Sequence, residues 1–224
     1  QVARSLVRAL SAPIAVDERE LQVSASIGIS LYPRDGTNAE ELLHSADAAM
    51  YQVKEGGKNA YHFSTLEVRT RLSRRLELER MLRRALTDNQ FEIVYQPQVR
   101  LDDSSLIGFE ALLRWRSPEL GVVSPAEFIP VAEEAGLIGP IGHWTLRESA
   151  LQLQAWQRQG LLPIRMSVNV STLQFHQATF VETVRGALND SGIDPSLLEI
   201  EVTETALLDD LDWEVALLDR FSAA

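Results

Sequence analysis

Cysteine is absent from the 224 residues, which excludes disulfides and thiolate metal sites and fits a reducing compartment. No apolar run approaches the roughly 18 residues that a membrane span needs, and the first residues lack the pattern of a secretory signal. Basic residues are in deficit, with 21 Lys and Arg against 32 Asp and Glu and a formal net charge of −11. That balance argues against a general DNA or RNA binder, because affinity for a phosphate polymer grows with the Lys and Arg that neutralise it. A small anionic nucleotide would instead need local cations or metal ions. Histidine is scarce as well, and His44, His62, His143 and His176 form no ligand-spaced cluster. What is present, 45% hydrophobic and 24% charged residues, is ordinary globular composition with enough apolar material for a sizeable core, in one domain or two.

Hydrophobic spacing divides the chain. Val2 to Leu10 has helical periodicity and is closed by Ser11-Ala12-Pro13. Val23 to Leu31 is β-rich, Tyr32 to Gly36 reads as a turn, and Asn38 to Lys54 predicts a helix with an apolar stripe of Leu42, Leu43, Ala46, Ala49, Met50 and Val53. Gly56-Gly57-Lys58-Asn59 stops that helix, and Ala60 to Phe63 is a short strand. Leu66 to Leu86 then spaces its leucines for a connecting helix. Its seven Arg against three Glu leave two readings open, a basic face for lipid or nucleic acid and a connector whose arginines pair with neighbouring acids.

From Phe91 onward strands alternate with helices. Phe91 to Val99 and Leu106 to Trp115 flank the polar turn Asp102 to Ser105, which predicts an antiparallel start. Pro125 to Gly136 and Ile141 to Gln159 read as helices, Ile164 to Val170 as a strand, Ala178 to Ser191 as a helix and Leu197 to Thr203 as a strand. This alternation predicts an α/β fold with a parallel sheet and helices outside it.

The chemistry gathers on those strands. Gly108 to Trp115 reads as a buried strand that presents the carboxylate of Glu110 and the guanidinium of Arg114, a pairing suited to a metal and a phosphate. Asn169 and Glu201 sit in or at the end of β-branched runs, so three oxygen-bearing side chains fall on three strands. Plainer alternatives stand beside this: Asn169 as a turn former, Arg114 as an outward ion-pair partner, and Glu204, three residues after Glu201, as the cap of a helix near Thr205.

Five blocks, in order, resemble the EAL-domain family of bacterial cyclic di-GMP phosphodiesterases. They are Tyr95-Gln96-Pro97, Phe109 to Trp115, Ser124 to Pro130 with Glu133 to Ile138, Ser167 to Ser171, and Glu201 to Glu204. Upstream, Val23 to Ser30 and Ala46 to Lys54 resemble the end of a GGDEF domain, the diguanylate cyclase module. The resemblance implies the C-terminal part of a GGDEF α/β domain over 1–64, a linker helix over 65–87, and the first half of a TIM-like (β/α) barrel with an antiparallel first strand over 88–224. It implies a metal-dependent hydrolysis of cyclic di-GMP to the linear dinucleotide pGpG, with Mg²⁺ or Mn²⁺ in a two-metal site. Glu110, Asn169 and Glu201 would be the metal ligands. Arg114 would contact a phosphate, Gln96 a guanine or its ribose, and Leu112 would line the substrate site. Glu204 would orient a loop or a ligand from behind.

Several expectations attach to that likeness. The Gly-Gly-Asp-Glu-Phe turn of a cyclase is not in this sequence, so the chain is expected not to make cyclic di-GMP. Four barrel strands are readable where a closed barrel has about eight, and the family's Asp-Asp pair, Lys and later Glu lie beyond them, so this polypeptide is expected to be a fragment with little activity by itself. The alternative is a non-catalytic module that binds cyclic di-GMP and regulates a partner. The family further implies homodimers through the barrel and a cytoplasmic location, with an upstream membrane anchor left open.

Overall fold

A computed structural model describes residues 1–16, 19–160 and 164–202. The chain divides into two compact units, Gln1–Glu77 and Leu78–Ala224.

In the first unit α1 (Val2–Leu10) precedes an antiparallel pair of short strands, β1 (Ile14–Val16) and β2 (Arg19–Leu21). Then β3 (Ser26–Ile29) pairs in parallel with β4 (Ala60–Phe63), the two being joined through α2 (Ala39–Glu55). Asn38 caps α2 by accepting from the Glu41 N–H, and Glu40 and Glu41 sit at the positive end of its dipole. The predicted stripe of α2 is only partly the buried face. Ala48, Ala49 and Val53 are buried, whereas Leu43 is 66% exposed. The reason lies on β3: a Cβ at Gly28 would collide with the Ala46 carbonyl oxygen and the Met50 nitrogen, so helix and strand meet backbone to backbone and the interface selects small residues.

The turn after β3 is held by the buried Asp35. Its carboxylate accepts from the Leu31 N–H and from the Arg34 guanidinium, each at 2.8 Å. The hydrogen bond from Arg34 holds the Asp35 carboxyl below the usual carboxylate range against the opposing effect of burial, with the Leu31 N–H adding to it. Ser45 and Arg69 both donate to the Asp35 carbonyl oxygen.

Helix α3 (Leu66–Ala85) spans the division between the units. Its arginines find acids, as the connector reading requires: Arg75 meets Glu55 at 2.7 Å, Arg74 meets Glu77 at 3.3 Å and Arg83 meets Glu79 at 2.6 Å. Its last turns, through Leu78, Met81, Leu82 and Ala85, belong to a core of the second unit.

The second unit is built on a sheet ordered β5 (Phe91–Val99), β6 (Leu106–Ser117), β8 (Arg165–Val170), β9 (Leu198–Val202), with β7 (Gly121–Val123) paired to β6. β5 runs antiparallel to β6, while β6 with β8 and β8 with β9 are parallel, as expected from the sequence. Helices α4 (Pro125–Glu134) and α5 (Ile138–Arg158) lie between β6 and β8, and α6 (Thr172–Phe175) and α7 (Phe180–Ser191) between β8 and β9. Helix α5 starts three residues before the predicted Ile141 despite Pro140, because a proline in the first turn forfeits no intrahelical hydrogen bond. Neither β7 nor α6 was anticipated. Three residues carry no period, but α6 has a sequence signal, the capping box of Ser171 with Gln174.

Strand alternation sorts the sheet into two faces. Ile93, Tyr95, Ala111, Met166, Val168 and Ile200 turn toward the helices and form one core with Leu146, Leu153, Val181 and Val184. Trp156 of α5 closes on Tyr95 and Phe109, both at 4.8 Å between ring centroids. A second core surrounds the fully buried Trp115, whose ring meets Phe128 edge-on at 5.7 Å and whose indole N–H donates to Gln90. The opposite face of the sheet carries Gln96, Glu110, Leu112, Arg114, Asn169 and Glu201, and so the helix-side packing fixes the register that aligns these polar groups.

Candidate functional site

Glu110 sits on β6 directly opposite Gln96 of β5 and Ser167 of β8. Two residues further along β8, Asn169 lies on the same face and is paired in register with Glu201 of β9. The Asn169 amide Nδ2 donates to Glu110 Oε1 at 2.7 Å. Residues 59 apart in the chain are thereby joined across two parallel strands, and Glu201 stands beside them on the third. Leu112 and Arg114 follow Glu110 at i+2 and i+4, so they share its face.

A pocket of about 560 Å³ opens at this end of the sheet and is lined by Glu110, Leu112, Arg114, Asn169 and Glu201. It lies where β6, β8 and β9 finish, the end at which parallel α/β folds place their chemistry. Arg114 is half-buried, and its Nη1 donates to the neighbouring Leu113 carbonyl at 2.9 Å, which steadies the guanidinium without neutralising it. Gln96 is exposed and outside the pocket lining, although its pairing with Glu110 puts it on the same face. Glu204 lies outside the described residues.

The donor chemistry suits a hard divalent cation. Two carboxylates and one amide supply only oxygen ligands, and neither Glu110 nor Glu201 has an ion-pair partner among the described residues, so their charge is left to be balanced. Among those residues no three His, Cys, Asp or Glu side chains cluster as a metal site, and the amide of Asn169 is what completes this group.

The helical wall adds residues that carried no site role in the sequence reading, although Pro125, Ile129, Glu133 and Ile138 fall in one of the five matching blocks. From α4 come Pro125, Ile129 and Glu133, spaced four apart on one helix face, and from α5 come Ile138, Ile141, Gly142 and Thr145. Gln174 of α6 also lines the pocket. Its side chain closes the capping box with Ser171 just after Asn169, in space left by Gly142, where a Cβ would collide with the Gln174 amide. The Ser171-x-x-Gln174 spacing was a usable signal for α6, whereas nothing local marks Glu133 as pocket-facing.

Comparison with known proteins agrees with this architecture. Residues 79–224 match the model of the EAL domain, and residues 1–60 match that of the diguanylate cyclase GGDEF domain. The bifunctional diguanylate cyclase/cyclic di-GMP phosphodiesterase MucR of Pseudomonas aeruginosa is 41% identical over 222 residues, which is 99% of this chain and 32% of MucR. The cyclic di-GMP phosphodiesterase NbdA of the same organism is 38% identical over 219 residues, 98% of this chain and 28% of NbdA. The chain thus spans about a third or less of the length of these curated relatives. Among solved structures, the MucR phosphodiesterase in complex with c-di-GMP superposes with a TM-score of 0.63 at 41% identity, over 66% of this chain and 60% of that one. The EAL enzyme Bd1971, in its cAMP- and cyclic-di-GMP-bound form, gives 0.62 at 31% identity, over 67% and 42%. With the EAL model matching residues 79–224, well over half of the sequence, the chain belongs to the EAL-domain family.

Proposed function

We propose that this chain is part of a cyclic di-GMP phosphodiesterase, with the GGDEF-derived segment at 1–64, the connecting helix at 65–87 and the EAL module from 88 onward. The observation that carries the reading is the 2.7 Å bond between Asn169 and Glu110 beside Glu201, in a pocket that also holds Arg114. Glu110, Asn169 and Glu201 would hold divalent metal, Mg²⁺ or Mn²⁺, which when bound supplies charge for the phosphoryl oxygens and lowers the pKa of a water. Arg114 orients the scissile phosphodiester through its planar donors and draws negative charge toward that corner of the pocket. Leu112 shields one side of the site from water. Gln96 reaches a guanine or its ribose from the neighbouring strand, and Glu204 orients a loop or a metal ligand from behind.

The same reading carries homodimers through the EAL module and a cytoplasmic location, where the nucleotide is produced and consumed. Consistent with it, no described helix is long and apolar enough to cross a membrane.

The test is hydrolysis of cyclic di-GMP by the full-length protein, followed chromatographically with Mg²⁺, with Mn²⁺ and with a chelator. Linear pGpG is expected only with metal, and Glu110→Ala is expected to lower its formation by about 100-fold or more, since even the partners that merely orient metal ligands are worth 10–100-fold. Unchanged turnover in that variant would sink the ligand assignment. Tight nucleotide binding without any turnover in the wild type would point to a regulatory receptor instead.

A further inference from the structure

We propose that Glu133 selects guanine in this pocket, by accepting hydrogen bonds from the N1–H and the exocyclic amine of one base of the dinucleotide. The proposal rests on the phosphodiesterase reading above and deepens it.

Four charged side chains line the pocket, and three of them, Glu110, Glu201 and Arg114, sit on the strands. The fourth, Glu133, is the one charged group that the helical wall contributes among the described residues. It ends a stripe on α4 whose earlier members are Pro125 and Ile129, and the buried Ile138 and Ile141 of α5 back the same pocket. Its carboxylate has no hydrogen bond or ion pair among the described residues, while its neighbour Glu134 has a partner. A half-buried carboxylate beside an apolar wall is costly until donors reach it.

The geometry states which ligand fits. Leu112, Pro125 and Ile129, which are partly exposed, give the pocket apolar surface for the face of an aromatic base, and the carboxylate beside them accepts only. Guanine presents two adjacent N–H donors on its Watson–Crick edge, which match the two oxygens of a carboxylate. Adenine presents a ring acceptor at the corresponding place and would set a lone pair against the negative charge. Discrimination therefore comes from a charged acceptor that one base type satisfies and the other opposes with a lone pair. Glu110, Asn169, Glu201 and Arg114 cannot make this distinction, because the metal and phosphate they would contact are common to every cyclic dinucleotide.

The experiment measures binding of cyclic di-GMP and of cyclic di-AMP to the full-length protein by calorimetry in the presence of chelator, for the wild type, Glu133→Gln and Glu133→Asp. The two ligands share the sugar-phosphate ring and differ only in the bases. Glu133→Gln is expected to weaken cyclic di-GMP by about 10- to 100-fold, the worth of hydrogen bonds to a charged acceptor, and to leave cyclic di-AMP within about twofold. Glu133→Asp, which keeps the acceptor, is expected to retain part of the preference. An unchanged ratio in Glu133→Gln, or an equal loss of both ligands, would overturn the role of Glu133 while leaving the phosphodiesterase reading intact. A wild type that binds neither nucleotide and hydrolyses neither would overturn both. Thermal melting of each variant separates lost binding from lost folding, and should Glu133→Gln fail to fold, a preference reduced in Glu133→Asp supports the proposal while an unchanged one overturns it.

Discussion

Single side chains in this molecule divide sharply by the face of the sheet on which they fall. Tyr95 and Gln96 are adjacent in sequence, yet Tyr95 packs against Trp156 on the helix side and Gln96 is exposed on the polar side. Burial, with a smaller contribution from the charge of Glu148, pushes the Tyr95 phenol up from 10.0 to about 12. Between those values the unfolded chain gives up its phenolic proton while the folded chain keeps it, so folding is favoured fully below pH 10 and loses this contribution as pH rises toward 12. Melting temperatures measured from pH 9 to 12 should therefore fall less steeply for Tyr95→Phe than for the wild type. Parallel curves would show that the phenol titrates alike in both states. In the sequence Asn169 and Glu201 stood out as polar groups in β-branched runs, and Glu110 as a carboxylate four residues before Arg114 on one strand. Glu133 did not, since a Glu on an amphipathic helix looks the same whether it faces solvent or a pocket.

At the scale of elements, close approach decides more than propensity. Gly28 lets α2 lie directly on β3, and any Cβ there meets backbone rather than a side chain able to move aside. Gly28→Ala should cost about 1–3 kcal/mol or more, the usual range for overpacking, and should lower the thermal midpoint of the first unit. An unchanged midpoint would mean that helix and strand separate freely. The same interface explains why the predicted stripe of α2 was partly misplaced: with backbone so near, Ser45, Ala48 and Ala49 fill the contact and Leu43 is turned out. Long strands were easier to read. β5 matches its predicted span from Phe91 to Val99, because nine alternating residues outweigh end effects, whereas the three-residue β7 has no periodicity to read.

For the whole molecule, charge and motif content set what it should refuse. With a formal net charge of −11, the chain is expected to show no retardation of duplex DNA at physiological salt. Lacking a Gly-Gly-Asp-Glu-Phe turn, the same 224-residue polypeptide should form no cyclic di-GMP from GTP and Mg²⁺. Product detected by mass spectrometry would show that its GGDEF-related part retains a nucleotide site of another kind. The sequence by itself determined the alternation of strands and helices, the antiparallel entry into the sheet and the identity of the metal-ligand candidates, because period and residue type are local properties. Only the tertiary structure decided that Asn169 donates to Glu110, that Arg114 shares their pocket while Gln96 stays outside its lining, and that Glu133 faces it from α4. Those relations join residues up to 59 positions apart, and they exist only once strand register and helix packing have brought the segments together.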